Sequence, residues 1–222
     1  MIAQNLDAIS KKIGEATIAA GRDVSEITLI GVTKTKPLEM IKKAFEAGLT
    51  DVGENYVEDF SDKQTSYHPS GLNYHFIGRL PTKKVRKIVG KAHLIHSVGS
   101  VKLAKKIDFV SSEEKVRQDI LIQVNQGGEL SKSGVEPDNL EVLVKEVSTL
   151  LNIRIRGLMS IPPFHKPAQP YFTQLRHLRD NLQEKIGTEL PFLSMGMSGD
   201  FVEAISEGAT HIRVGTSIFG SR

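Results

Sequence analysis

Ile27-Thr-Leu-Ile-Gly-Val-Thr33 is a short run rich in β-branched residues, and Lys34-Thr-Lys-Pro37 follows it without a break. Pro37 is a good first-turn residue, and the pattern after it predicts a helix to about Ala47. A buried strand passing directly into a helix is one βα module. The same order returns along the chain. Candidate strands fall at 50–53, 73–77, 93–97, 118–124, 152–158, 191–194 and 210–214, with helices near 55–66, 81–89, 100–110, 137–149, 169–185 and 199–207. Upstream, Ile2, Leu6, Ile9, Ile13 and Ala16 recur at helical spacing over 2–20, and Gly21 stops that leading helix.

Eight strands alternating with helices imply a parallel sheet. Ile120-Leu-Ile-Gln-Val124 and Ile153-Arg-Ile-Arg-Gly-Leu158 carry apolar residues on both faces, as a sheet covered on both sides requires, although Arg154 and Arg156 then need partners or the rim. The expected fold is α/β: a single (β/α)8 barrel of TIM type over 1–222 with an extra N-terminal helix. A doubly wound open sheet is the runner-up, disfavoured because the glycine-rich dinucleotide turn is missing.

The chain of 222 residues is long enough for one such barrel. It has no cysteine, which removes disulfides, thiolate zinc sites and cysteine nucleophiles. No signal-peptide core and no membrane span can be read, so a cytoplasmic location is expected. Net charge is only +3. The basic stretch 79–91 sets Lys83, Lys84, Arg86 and Lys87 over Val85, Ile88 and Val89, the pattern of a crossover helix with a solvated outer face. Without interleaved aromatic residues it offers no stacking platform for nucleic acid.

Three places carry chemistry. Lys34 closes the first strand and is expected at the C-terminal rim, where barrel enzymes keep their sites. Lys36 is assigned to the loop that Pro37 enforces. After the seventh strand comes Ser194-Met-Gly-Met-Ser-Gly-Asp200, and after the eighth Arg213-Val-Gly-Thr-Ser-Ile-Phe-Gly220. Each brings glycine and hydroxyl residues to a helix start, a pattern suited to an anion. Strands 1 and 8 are neighbours in a closed barrel, so a lysine and a phosphate cradle meet there. Pyridoxal phosphate fits that pairing, and so does a sugar phosphate in a Schiff-base aldolase. The long loops 125–136 and 160–170 lie at the same rim. His93 and His96 are expected on opposite faces of their strand and not as a metal pair, and no metal site is expected. His75 and His211 read as core or rim histidines.

Several motifs together resemble the pyridoxal phosphate homeostasis proteins (the YggS/PROSC group). They are Val32-Thr-Lys-Thr-Lys-Pro37, Gly53-Glu-Asn-Tyr56, His75-Phe-Ile-Gly78, Ser131-Lys-Ser-Gly134, Arg156-Gly-Leu-Met159, Gly196-Met-Ser198 with Asp200, and 213–220. The family is similar in fold to the N-terminal barrel of alanine racemase. The resemblance implies pyridoxal 5′-phosphate held as a Schiff base on Lys34. It implies Ser198, Gly215 and Thr216 at the phosphate, Arg213 facing the pyridine nitrogen, Asn55 beside the ring and His75 near the same rim. One departure stands out: where the family continues with amides, this chain has Pro81 and Lys83.

An arginine can only donate, so a pyridine nitrogen facing it must stay unprotonated and is a poorer electron sink. The racemase-like second acid/base residue belongs to a further domain, which is not expected after Gly220. The implied function is therefore to buffer or deliver the cofactor without efficient catalysis. A weak amino-acid racemase using Tyr56 or His75 is the alternative. Expected partners are the cofactor itself, apo-enzymes that use it, or amino acids, with no nucleic acid and no membrane, and the chain is expected to be a monomer. Lys132 is a candidate second amine for the aldehyde.

Overall fold

A computed structural model of the chain describes residues 1–128 and 133–220. Among them eight strands close into a parallel barrel in sequence order, β1 pairing with both β2 and β8. The strands are β1 Thr28–Val32, β2 Asp51–Glu54, β3 Asn73–Phe76, β4 Leu94–Val98, β5 Gln118–Val124, β6 Ile153–Ser160, β7 Phe192–Met197 and β8 His211–Val214. Closure excludes the open sheet. It also leaves no unpaired strand edge.

Helices α1 Ile2–Ala19, α2 Leu38–Glu46, α3 Val57–Ser66, α4 Val101–Glu113, α5 Leu140–Val147, α6 Gln169–Ile186, α7 Phe201–Ser206 and α8 Thr216–Phe219 surround the barrel. The apolar stripe of α1, Leu6, Ile9, Ile13 and Ala16, is buried. Asn5 Nδ2 donates to the Ile218 carbonyl at 2.9 Å and Arg22 reaches the Ile205 and Ala209 carbonyls, so the leading helix is tied across α7 and α8.

The stretch 81–89 differs from the expected α-helix. Thr82–Lys87 is a 3-10 turn capped by Pro81. Val85 and Ile88 are both fully buried. A three-residue spacing fits a 3-10 turn as well as an α-helix, and the shorter form suffices for a connection this brief. Its charges meet acidic neighbours: Lys84 lies 2.8 Å from Glu58, Lys87 3.5 Å from the same carboxylate, and Arg86 pairs with Glu113 and Glu114. The basic stretch is thus a solvated ion-pair face.

The period of two sorts the strand residues. Val52, Tyr74, Phe76, Ile95, Ile122, Leu193, Ile212 and Val214 belong to the large core beneath the helices. Leu94, Leu121 and Met159, with Phe192 against them, form a small separate cluster inside the barrel. Further inward positions of β2, β3, β4, β7 and β8 carry polar side chains: Asp51, His75, His96, Ser194, His211 and Arg213, all nearly or fully buried. Apolar residues on both faces therefore describe β5 but not these five strands. Arg154 and Arg156 find partners: Arg154 grips Asp119 with two bonds of 2.7 and 2.8 Å, and Arg156 lies over the Phe192 ring at 4.6 Å.

Candidate functional site

Strand β1 ends at Val32, so Lys34 does not close the strand as expected but opens the turn beyond it, half-buried. Lys36 N donates to the Thr33 carbonyl at 3.0 Å, and Thr35 sits at φ 62°. A non-glycine residue there costs about 1–2 kcal/mol and persists only where its surroundings hold it. The hold comes from β2 and α3. Thr33 Oγ1 donates to Glu54 Oε1 at 2.6 Å, and Lys63 Nζ bridges Glu54 Oε1 at 2.6 Å and the Thr33 carbonyl at 2.9 Å. Burial pushes the Glu54 carboxyl up in pKa, against the pull of Lys63 and Thr33. Neither Glu54 nor Lys63 was expected at the site, and a lysine on an amphipathic helix carries no local signal of this task. Lys36 reaches the carbonyls of Phe219 (3.3 Å) and Gly220 (3.0 Å), which ties the turn to the end of α8.

The residues expected at the phosphate meet beside this turn. Because β1 pairs with β8, Gly31 opposite Val214, the chain leaves both strands side by side. A Cβ on Gly215 would lie 3.4 Å from Val32 Cβ. Ser198 Oγ accepts from Gly215 N at 3.4 Å and from Thr216 Oγ1 at 3.3 Å. Both contacts are long, so the donors have a weak partner that an anion oxygen would replace. The β7–α7 corner depends on Gly196, at φ 89°, where a Cβ would lie 2.6 Å from Ala204 Cβ. Asp200 Oδ1 fixes the same corner by accepting from Met197 N at 2.6 Å.

Asn55 follows β2 and lines a cavity of about 190 Å³ with Gln123, Asn125 and Ile161 at the C-terminal mouth. Its backbone is set by Gly78, where any Cβ would come within 2.0 Å of the Asn55 carbonyl oxygen. Arg213 is 4 % exposed, its NH1 donating to Ser194 Oγ at 2.6 Å and NH2 to the Ser160 carbonyl at 2.9 Å. Burial lowers its pKa to about 10, which leaves it charged at neutral pH. Asn55 Oδ1, Ser160 Oγ and the second oxygen of Glu54, Oε2, are among the buried polar atoms that have no partner among the described residues.

His75 is a correction. It is fully buried and lies toward the N-terminal ends of the strands, not at the rim with Lys34. There it lines a cavity of about 510 Å³ with Asp51, Asn73, His93 and His211. Its Nε2 is 3.0 Å from Asp51 Oδ1 and its Nδ1 2.9 Å from His96 Nε2. His93 precedes β4, and its ring lies 5.3 Å from that of His75, with His96 at 5.2 Å, so both approach one histidine instead of pointing apart. No group of three or more metal-ligating side chains occurs among the described residues. Among the described residues no helix is long and apolar enough to cross a membrane. Lys132 lies outside the described residues. Pro81 caps the 3-10 turn, and Lys83 lines a rim cavity of about 630 Å³ with Arg79 and Lys102.

Residues 4–222 match the family model for the N-terminal domain of alanine racemase. The pyridoxal phosphate homeostasis protein of Aquifex aeolicus is 44% identical over 222 residues, covering 99% of this chain and 97% of that protein. The chain belongs to the pyridoxal phosphate homeostasis family. A solved structure of another protein, PipY of Synechococcus elongatus, has 34% identity and a TM-score of 0.90, covering 99% of this chain and all of that one. PipY has also been solved with pyridoxal phosphate bound, with a TM-score of 0.86 to this chain. Alanine racemase of Clostridium difficile shares the fold at 13% identity and a TM-score of 0.79, with 56% of its chain covered.

Proposed function

We propose that this homeostasis-family chain binds pyridoxal 5′-phosphate on Lys34 and holds it for delivery, without efficient turnover of its own. The observation that carries the reading is the pairing of β1 with β8. It sets the Lys34 turn next to Gly215 and Thr216, with Ser198 across from them. When bound, the cofactor supplies an aldehyde, which condenses with the Lys34 amine to a Schiff base and releases water.

The residues suit that group. Ser198 and Thr216 hydroxyls and the Gly215 N–H are donors for the phosphate. Asn55 Oδ1 and Ser160 Oγ are buried acceptors and donors awaiting a partner. Arg213 keeps its charge and can only donate, so it favours an unprotonated pyridine nitrogen. That choice weakens carbanion chemistry and supports holding over catalysis. The weak racemase reading loses support because His75 is sealed away from the rim, which leaves Tyr56 as its proton donor.

Recipients of the cofactor are read as apo-enzymes that use it, with the chain acting as a cytoplasmic monomer. Incubating the purified protein with the cofactor, reducing with borohydride and mapping the peptides is expected to find the adduct on Lys34. Labelling by triose phosphates in place of the cofactor would favour the aldolase instead. Exchange of the α-hydrogen of an amino acid, lost in Lys34→Ala, would favour the racemase.

A further inference from the structure

A continuous polar chain crosses the barrel interior from its N-terminal end to Arg213. Asp51 Oδ1 lies 3.0 Å from His75 Nε2, His75 Nδ1 2.9 Å from His96 Nε2, and His96 Nδ1 2.8 Å from Ser194 Oγ. Ser194 Oγ then accepts from Arg213 NH1 at 2.6 Å. The links come from β2, β3, β4, β7 and β8, and each of the five residues is at most 8 % exposed.

The two ends dictate where the protons sit. A guanidinium only donates and a carboxylate only accepts. Ser194 receives from Arg213, so its own proton is free for His96 Nδ1. His96 then carries its proton on Nε2 and donates to His75 Nδ1, and His75 carries its proton on Nε2 and donates to Asp51. The opposite order would leave a bare His75 Nε2 facing the Asp51 carboxylate unless His75 were protonated, and burial lowers the pKa of both histidines. Asp51 is anchored by two further bonds, from Thr50 Oγ1 at 2.6 Å and Asn73 Nδ2 at 3.1 Å.

We propose that Asp51, His75, His96 and Ser194 are positioning residues. They form a one-way relay that fixes the aim and charge of Arg213 at the cofactor face from the opposite end of the barrel. The role toward the pyridine nitrogen rests on the proposed function, but the direction of the relay does not. Breaking it leaves Arg213 NH1 buried without its acceptor, which loosens the contact it offers to a ring nitrogen.

Two measurements test this separately. In the cofactor-free protein, nitrogen-15 NMR of the imidazoles is expected to find His75 and His96 both neutral with the proton on Nε2. A proton on Nδ1 of either ring, or a doubly protonated ring at neutral pH, overturns the relay. In the loaded protein, Ser194→Ala is expected to weaken retention of pyridoxal phosphate by about tenfold and to move its visible absorption band. Asp51→Asn keeps the shape and removes the charge, and is expected to act in the same direction more weakly. Should Ser194→Ala not fold, Asp51→Asn carries the test alone. Variants that only melt earlier, with affinity and band position unchanged, overturn the positioning role. If the wild-type chain takes up no cofactor, the proposed function fails and the positioning role fails with it, while the imidazole protons still judge the relay.

Discussion

The two mouths of the barrel are built on opposite principles. At the C-terminal mouth Ser198, Gly215 and Thr216 are not buried and the contacts among them are long, and Asn55 Oδ1 and Ser160 Oγ lack partners among the described residues. At the N-terminal mouth Asp51 and His75 are buried and bonded at 2.6–3.1 Å, and burial lowers the pKa of His75 and His211. Unfinished hydrogen bonding marks a place for a ligand, whereas finished hydrogen bonding marks a structural brace. His75 belongs to the brace, which is why its chemistry alone misplaces it.

The sharpest break is at the amine. Lys34→Ala is expected to abolish the Schiff-base absorption entirely while leaving the melting temperature of the cofactor-free protein close to wild type. A large loss of stability in that variant would move Lys34 from the ligand side of the comparison to the brace.

Acid should attack the other mouth first. His75, His96 and His211 bind protons more weakly folded than unfolded, so stability falls as pH drops below about 6.5. For His211, held down to about 3 mainly by burial, the full loss is on the order of 4–5 kcal/mol once pH reaches that value. Asp51 adds a loss between its ordinary 3.8 and about 2. Burial raises its pKa, but the bonds from His75, Thr50 and Asn73 prevail. Glu54 runs the other way: its contribution is present below 4.5 and lost as pH rises through its raised folded value. Denaturant melts across pH, with His211→Asn flattening the slope between pH 6.5 and 3, check the assignment.

Smaller changes sharpen the picture. Gly196→Ala places a Cβ against Ala204 at a left-handed φ and is expected to cost about 1–3 kcal/mol by thermal melting. Ser198→Ala is expected to cost about 1 kcal/mol of cofactor binding, near fivefold in Kd, with folding unaffected. Lys84→Ala, which loses an exposed pair with Glu58, is expected to change stability by less than about 1 kcal/mol and cofactor binding not at all.

Much of the frame could be read directly. Seven of the eight strands lie within two residues of their expected limits, while β7 runs three residues further than expected, to Met197. The convergence of Ser198 with Gly215 and Thr216 followed from strand order, because β7 and β8 pair as consecutive strands, and closure brings the end of β1 beside them. Lys63 was illegible, because its partner Glu54 is reached from an ordinary position on α3. The crossover at 82–87 was read as α-helical because its apolar spacing serves either helix type.

The sequence by itself therefore determined the order of elements, the closed barrel and the meeting of the Lys34 turn with Ser198, Gly215 and Thr216. These follow from local periodicity and the rule that consecutive βα units pack in order. Only the tertiary structure decided which inward side chains touch across the hollow. The β4–β5 register shifts between Ile95 and Val98, and the β7–β8 register between Ser194 and Met197. Such shifts set the height and aim of His96 and Ser194, and a period of two read along one strand is blind to its offset against the next.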